Sequence, residues 1–544
     1  MAHGPTIGAY LIDQLHQRGA RHVFGIPGDY VLGFYDELTR SKLRMVNTCD
    51  EQGAGFAADA YARVSGLGVV CITYCVGGLK VANTTAQAFA EKSPVVIISG
   101  APGVGEQVKN PLLHHKVRDF DTQLKVFREL TCAATVLDDP HTAFAEIDRV
   151  LHACQRYQRP VYIELPRDVV HLRGPAHHKP RKHREESDPV TLRASLEEAV
   201  EMINRAKRPV ILADVELHRF GLQEDLVRLV KKTNFPVAAT LMGKSVIAEH
   251  YPQYLGIYEG AMGREEVRRA VEGSDCLIML GVFMTDINLG IYTAQLDPGR
   301  SIYATSERLS IRHHSYDNVR FTDFLHGLLR ARLRRRPLPR ISRPAPVFKG
   351  RPASGPTGIL NLCERLNAFL DDRTIVIADV GDCLFGAADL TIHHRTEFLA
   401  TAYYASLGFA VPGAIGAQMA SPKSRPLVLV GDGAFQMTGM ELATVARYGL
   451  NPIIVVFNNS GYSTERPMKD GPFNDVWNWQ FHKLPEVLGA GRGFLVRTVG
   501  ELDTALEAAR ADTKTFSILN VIIPKDDRSP AMRRLTERLA ARIK

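Results

Sequence analysis

The sequence predicts an α/β protein of three doubly wound parallel-sheet domains, and three observations carry that prediction. Short apolar runs of strand length alternate with longer helical patterns from one end of the chain to the other. The strand-like runs are continuously apolar, as expected of sheets covered on both faces. Two basic, proline-containing segments, "HHKPRKHREE" (177–186) and "RARLRRRPLPRISRP" (330–344), divide a chain of 544 residues, which is too long for a single core. The expected domains are 1–180, 190–340 and 356–544.

The elements follow in order. "TIGAYLIDQLHQRG" reads as a first amphipathic helix. "RHVFGI", "LRMVNTC", "GVVCITY", "PVVIISG" and "PVYIELP" read as strands of the first domain. "RPVILAD", "PVAATL", "DCLIMLG" and "RSIYATS" serve the second, and "TIVIADVG", "RPLVLVGDG", "NPIIVVFNN" and "FSILNVIIP" the third. The tail "PAMRRLTERLAARIK" reads as a helix.

Hydrophobic residues make up 45% and charged residues 23% of the chain, ordinary for a globular protein. No apolar run reaches membrane-span length, and the N-terminus lacks the basic start and apolar stretch of a signal peptide. The eight cysteines are scattered without a CxxC pair or zinc spacing, which fits buried free thiols in a reduced, cytoplasmic protein. The net charge of +8 is concentrated in the two dividing segments, read as solvated connectors, and no nucleic-acid module accompanies it.

The third domain holds the sharpest signal, "VGDGAFQMTGMELATVARYGLNPIIVVFNNSGYSTE". One strand ends at Gly431–Asp432–Gly433, an intact helix is expected over Gln436–Tyr448, and a second strand ends at Asn458–Asn459. A right-handed βαβ unit brings both strand ends to one edge, so Asp432 and Asn459 face one crevice. Their oxygens, with a backbone carbonyl near Gly461, suit Mg²⁺, which takes few protein oxygens and completes its shell with phosphate and water. The glycines admit phosphate oxygens.

In the first domain "CDEQGAGFAADAYARVSG" places Glu51 in the first turn of a helix rich in small residues. An acid there complements the helix dipole, and that local reading suffices for Glu51 alone.

Together these stretches resemble the thiamine diphosphate-dependent 2-oxo acid decarboxylases over nearly the whole chain. "FGIPGD" (24–29), "CDEQGAGFAADAYAR" (49–63), "LLHH" (112–115), "YYASLGF" (403–409), the GDG…NN segment and "GYSTE" (461–465) occur in the order and spacing of that family. "ADVGDCLFG" and "GDGAFQMTG" are most similar to its phenylpyruvate and indolepyruvate branch. The resemblance implies pyrimidine-binding, central and diphosphate-binding domains, thiamine diphosphate with Mg²⁺, and a homodimer or homotetramer with sites between subunits. It implies no nucleic-acid or membrane partner.

The resemblance also implies residue roles. Glu51 contacts the aminopyrimidine and shares a proton with it, a task that burial among small apolar residues serves. Leu407 bends the cofactor. Asp29, His114, His115 and Glu465 handle protons, for which histidine suits neutral pH. Thr73 and Asp382 lie near cofactor and substrate. Gly431, Asp432, Gly433, Ala434, Asn459, Gly461 and Tyr462 surround the diphosphate, with Asp432, Asn459 and Gly461 on the metal. Four His-His dipeptides occur, so only the context of "LLHH" distinguishes this pair.

Three departures bear on substrate. Thr464 precedes Glu465 where pyruvate enzymes have isoleucine, Asp382 stands where yeast-type enzymes have threonine, and "YCVGGLKVANT" replaces the usual Phe-Gly-Val-Gly-Glu-Leu. An aromatic 2-oxo acid, phenylpyruvate or indole-3-pyruvate, is the expected substrate. Pyruvate or a branched 2-oxo acid, an acetohydroxyacid synthase-like carboligase, a non-catalytic paralogue and nucleic-acid binding through the basic segments are the alternatives.

Overall fold

The Thr6 hydroxyl accepts the Ala9 N–H and starts the first helix, Ile7–Gln17; its apolar face buries Ile7, Leu11 and Leu15. Helix and strand alternate from there through a computed structural model that describes residues 4–180, 185–338, 355–393 and 397–543, with side chains to Glu537. The dividing segments lie partly outside the described residues, at 181–184 and from 339 onward, as does one member of the 393–394 histidine pair.

Three sheets form. The first runs, edge to edge, Arg44–Asn47, His22–Gly25, Gly68–Ile72, Val95–Ala101, Val161–Pro166 and Ala133–Val136, with every pairing parallel. The third runs Phe398–Ala400, Thr374–Ala378, Arg425–Gly431, Ile453–Asn458, Ser517–Ile522 and Arg492–Val496. Its strand order repeats that of the first sheet. The central sheet runs His314–Tyr316, Leu309–Ile311, Ser301–Ala304, Cys276–Leu280, Pro209–Ala213, Val237–Ala239 and Tyr254–Ile257. It departs from the all-parallel expectation at one edge, where Leu309–Ile311 and His314–Tyr316 form an antiparallel hairpin. A two-residue connection between them is too short for a parallel crossover.

Period-two alternation explains the unbroken apolar runs. In the central sheet Ile211, Ala213, Ile278 and Leu280 point into one core, and Val210, Leu212, Leu277 and Met279 into another on the opposite face. The first of these cores continues without a break into the third sheet, through Val376, Leu429 and Val455. The chain accordingly packs as two compact units. One comprises 1–183, 408–426 and 436–452, and the other 184–407, 427–435 and 453–544. The first sheet has its own core, including Val23, Val69, Ile98 and Ile163.

Three smaller expectations change. The helix foreseen over Gln436–Tyr448 begins earlier and is broken: Asp432–Thr438, a 3₁₀ turn Gly439–Glu441, then Leu442–Arg447. Thr438 leaves the helical region (φ −141°) while its hydroxyl donates to the Gly408 carbonyl at 2.7 Å. The basic connector is not fully solvated, because Arg336 donates to the carbonyls of Asn204 at 2.9 Å and Ala206 at 2.5 Å. All eight cysteines are free, but Cys49 is exposed.

Burial pushes four carboxyls far up: Glu164, Asp214, Glu259 and Glu397, each to about 7. Each holds its proton more tightly folded than unfolded. Their contribution to stability therefore falls as pH rises between about 5 and 7 and levels off above that. Scanning calorimetry should give a lower Tm at pH 7.5 than at pH 5.5, with a smaller difference in Glu164→Gln. A Tm that climbs across this window contradicts the assignment.

Candidate active site

In both like-ordered sheets the chain starts one strand in from an edge, steps to that edge and returns across to the other side. That reversal opens a crevice at the carboxyl ends of two neighbouring strands. In the first sheet these are His22–Gly25, followed by "IPGD", and Gly68–Ile72, followed by Thr73. The two loops touch so closely that a Cβ on Gly28 would lie 2.4 Å from the Thr73 Cβ.

Asp29, His114 and His115 gather at this edge. His114 Nε2 lies 2.8 Å from Asp29 Oδ2. The buried Tyr30 ring stacks on His114 (centroids 4.8 Å apart, 21°), and its hydroxyl donates to the His114 carbonyl at 3.2 Å. His115 adopts φ 66°, and its Nδ1 is buried without a partner. One donor atom from each of the three residues lies within 4.8 Å of the others. Arg167 closes the cluster, 3.4 Å from Asp29, paired with Glu106 and set over the Tyr30 ring at 4.9 Å. Tyr30, Glu106 and Arg167 escaped the sequence reading. Tyr30 directly follows the quoted motif, whereas nothing local marks the other two.

Asp50 caps the helix Glu51–Ser65 by accepting the Gln52 N–H at 2.8 Å, so Glu51 does occupy the first turn. Its small residues have a further purpose. A Cβ on Gly53 would come within 2.0 Å of the Glu441 carboxylate, one on Gly55 within 2.0 Å of Thr84 Oγ1, and one on Gly416 within 1.9 Å of the Ala57 carbonyl. Close packing, not only apolarity, selects "GAGFA". The buried Glu441, with its carboxyl pushed up by burial, accepts the backbone N–H groups of Cys49 and Asp50 at 3.1 Å and fixes the turn into the helix. Glu51 itself is 9% exposed. It is not walled by apolar groups alone, because the Lys80 ammonium lies 2.8 Å from its Oε2. Gly77 bridges Glu51 and Thr73: its Cβ would be 3.2 Å from both Glu51 Oε1 and the Thr73 carbonyl.

The second unit holds a cavity of about 350 Å³ at the carboxyl ends of Thr374–Ala378, Arg425–Gly431 and Ile453–Asn458. It is lined by Asp382, Leu407, Gly431, Asp432, Gly433, Ala434, Asn459, Gly461, Tyr462 and Glu465. Every residue that the sequence reading placed around the diphosphate thus faces one space. Leu407 is half-buried there, unlike a core leucine, and Glu465 is exposed. Asp432 is 1% exposed; Oδ1 accepts the Gly433 N–H at 2.7 Å and Oδ2 the Gly461 N–H at 3.2 Å. Burial outweighs these donors and pushes its carboxyl up to about 6. Asp382, also raised to about 6 by burial, accepts the Ser529 N–H at 3.1 Å. Asp286, Ile287, Ile291, Met468 and Leu535 also line it. The first three come from the central segment, where no motif flagged them, and Leu535 comes from the predicted tail helix. Arg466, paired with Asp470 at 2.9 Å and Asp475 at 2.7 Å, clamps the turn that carries Gly461.

These residues fit a metal diphosphate. Asp382 Oδ2 is buried without a partner. A Cβ built on Gly431 would meet nothing within 4 Å, whereas one on Gly433 would press on Tyr462 at 2.6 Å, so the backbone borders open space beside the hard oxygens of Asp432 and Asn459. The first edge fits a hydrogen-bonding ring. Thr73 Oγ1 is buried and unpaired, and Glu51 Oε1 and the Thr73 carbonyl both border Gly77.

Three family models match the chain: the N-terminal thiamine pyrophosphate (TPP) binding domain of thiamine pyrophosphate enzymes over residues 5–123, their central domain over 196–320, and their C-terminal TPP binding domain over 379–521. The chain is therefore a thiamine pyrophosphate enzyme. An indole-3-pyruvate decarboxylase of Azospirillum brasilense is 37% identical over 535 residues, 97% of each chain. Alpha-keto-acid decarboxylases of Mycolicibacterium paratuberculosis (36%; 96% of this chain, 94% of the relative) and Mycobacterium leprae (35%; 98% and 95%) are also similar. Within the thiamine enzymes the chain belongs to the thiamine diphosphate-dependent 2-oxo acid decarboxylases.

Gly416→Ala places a methyl against backbone rather than against a flexible side chain. It should destabilise the protein by about 1–3 kcal/mol, read as a lowered Tm; an unchanged Tm contradicts the packing described for the Glu51 helix.

Proposed function

We propose that this chain decarboxylates an aromatic 2-oxo acid, phenylpyruvate or indole-3-pyruvate, to the aldehyde and CO₂, with thiamine diphosphate held through Mg²⁺. The observation that carries the reading is the single cavity that collects Asp382, Asp432, Asn459, Gly461 and Glu465 against an apolar wall of Ile287, Ile291, Phe385, Leu407, Met468 and Leu535. The wall suits a bulky side chain better than a methyl group, and the Azospirillum relative is named for an aromatic substrate.

When bound, thiamine diphosphate supplies the electron sink for C–C cleavage. The chain's own residues hold and orient. Asp432, Asn459 and the Gly461 carbonyl would ligate Mg²⁺, with Gly431, Gly433, Ala434 and Tyr462 bordering the phosphates. Leu407 would set the cofactor's bend, and Asp382 and Thr73 would offer their unpaired oxygens as acceptors. Glu51 would hold the pyrimidine nitrogen and share a proton with it. The Asp29–His114 pair is poised to pass a proton, with His115 beside it, and Glu465 shares the cavity with the apolar wall. We take 1–180 as the pyrimidine-binding domain, 190–340 as the central domain and 356–544 as the diphosphate-binding domain, in a cytoplasmic homodimer or homotetramer. Among the described residues no helix is long and apolar enough to cross a membrane.

The test is CO₂ release from pyruvate, branched and aromatic 2-oxo acids with thiamine diphosphate and Mg²⁺. Aromatic acids should give the highest kcat/KM; a clear preference for pyruvate overturns the substrate assignment. Glu51→Gln should lose about 10²–10⁴-fold in kcat and still bind cofactor, and unchanged turnover removes Glu51 from the mechanism. Asp432→Asn should weaken Mg²⁺-dependent cofactor binding, measured by titration calorimetry.

A further inference from the structure

Lys80 stands on the 3₁₀ turn Gly78–Val81. The turn is packed, not loose. Gln123 Oε1 accepts the Cys75 N–H at 2.7 Å, and a Cβ on Gly78 would lie 1.8 Å from that same oxygen. Gly78 thus lets Gln123 seat the turn, and the seated turn aims Lys80 back at the start of the Glu51 helix. Its ammonium reaches Glu51 Oε2 at 2.8 Å and the capping carboxylate of Asp50. Burial works against the ammonium, but hydrogen bonds to Asp50 and Glu51 prevail and hold it charged.

The division of labour between the Glu51 oxygens follows. Oε2 is taken by Lys80, while Oε1 is turned to Gly77, which also borders the Thr73 carbonyl. A glutamate side chain in water samples many rotamers, and ordering it costs entropy. An ammonium anchored on a neighbouring carboxylate fixes one rotamer before any ligand arrives, which favours binding by preorganisation.

We propose that Lys80 is a positioning residue for Glu51, which presents Oε1 to the hydrogen-bonding ring of the cofactor. This rests on the reading of Glu51 given under Proposed function. The test measures thiamine diphosphate affinity of the cofactor-stripped protein, with Mg²⁺, by titration calorimetry in Lys80→Met, Lys80→Arg, Glu51→Gln and the Glu51→Gln/Lys80→Met double variant. Lys80→Met should weaken binding about tenfold, and Lys80→Arg should restore it to within about threefold. In the Glu51→Gln background Lys80→Met should change Kd by less than twofold, because the partner it positions is gone.

Unchanged or tighter binding in Lys80→Met overturns the proposal, the latter by making Lys80 a competitor for Glu51. A full tenfold effect that persists in the Glu51→Gln background also overturns it. If Glu51→Gln binds too weakly to titrate, the arginine variant decides: affinity near wild type supports positioning by charge, and a loss equal to that of Lys80→Met refutes it. Wild-type turnover in Glu51→Gln is a separate failure, that of the Glu51 reading itself.

Discussion

The reversal of strand order in a parallel sheet is the constraint on which the rest of this molecule depends. Once two neighbouring strands send their connections in opposite directions, no crossover covers the space beyond their carboxyl ends, and whatever residues end those strands face it. The chain uses this geometry twice, with the same order of six strands each time. At one reversal stand Asp29 and Thr73, and at the other Asp382 and Asp432. The polar residues need no separate device to reach the crevice; standing within four residues of a strand end is sufficient.

Close packing then decides how accurately they are held. The Glu51 helix is approached on several sides by groups that leave no room for a Cβ at Gly53 or Gly55. It is anchored at its start by the carboxylate of Glu441, nearly four hundred residues later in sequence. A helix held in this way has little freedom to rock, so the packing of the helix sets where Glu51 stands, and Lys80 acts on its side chain. The same economy holds in the second unit, where Arg466 joins two aspartates and the carbonyls of Ser460 and Asn474 around Gly461.

What the sequence displayed and what it concealed divide along one physical line. Strands announce themselves by continuous apolar runs, and residues that end them by the glycines beside them, so the three sheets and the strand-end positions of Asp432 and Asn459 were legible, whereas Thr73 was named by the resemblance alone. The hairpin on the central sheet was not, because "LSI" and "HSY" are too short and too polar to register as strands. The break at Thr438 was hidden because the helical pattern continues on either side of it. Partners brought in from distant segments were hidden most completely. Lys80 reads as a surface lysine, Glu441 as an ordinary helix acid and Asp286 as a loop residue, and only the fold reveals what each one touches.

Burial and charge are in tension throughout the site, and that tension explains its chemistry. Asp432 receives backbone N–H groups on both oxygens, yet desolvation still dominates its titration. Asp382 keeps one oxygen with no partner at all. A protein selected only for stability would replace such groups, because an unpaired buried acceptor costs about 1–3 kcal/mol. Retaining them makes sense if a cation and a polar ring complete their hydrogen bonding and coordination. Glu51 shows the complementary solution. Its charge is balanced within the chain by Lys80 on one oxygen, which leaves the other free of that partner and facing the bridge at Gly77. A carboxylate balanced on one side and open on the other is held in place without being saturated, and a proton-sharing group needs both properties.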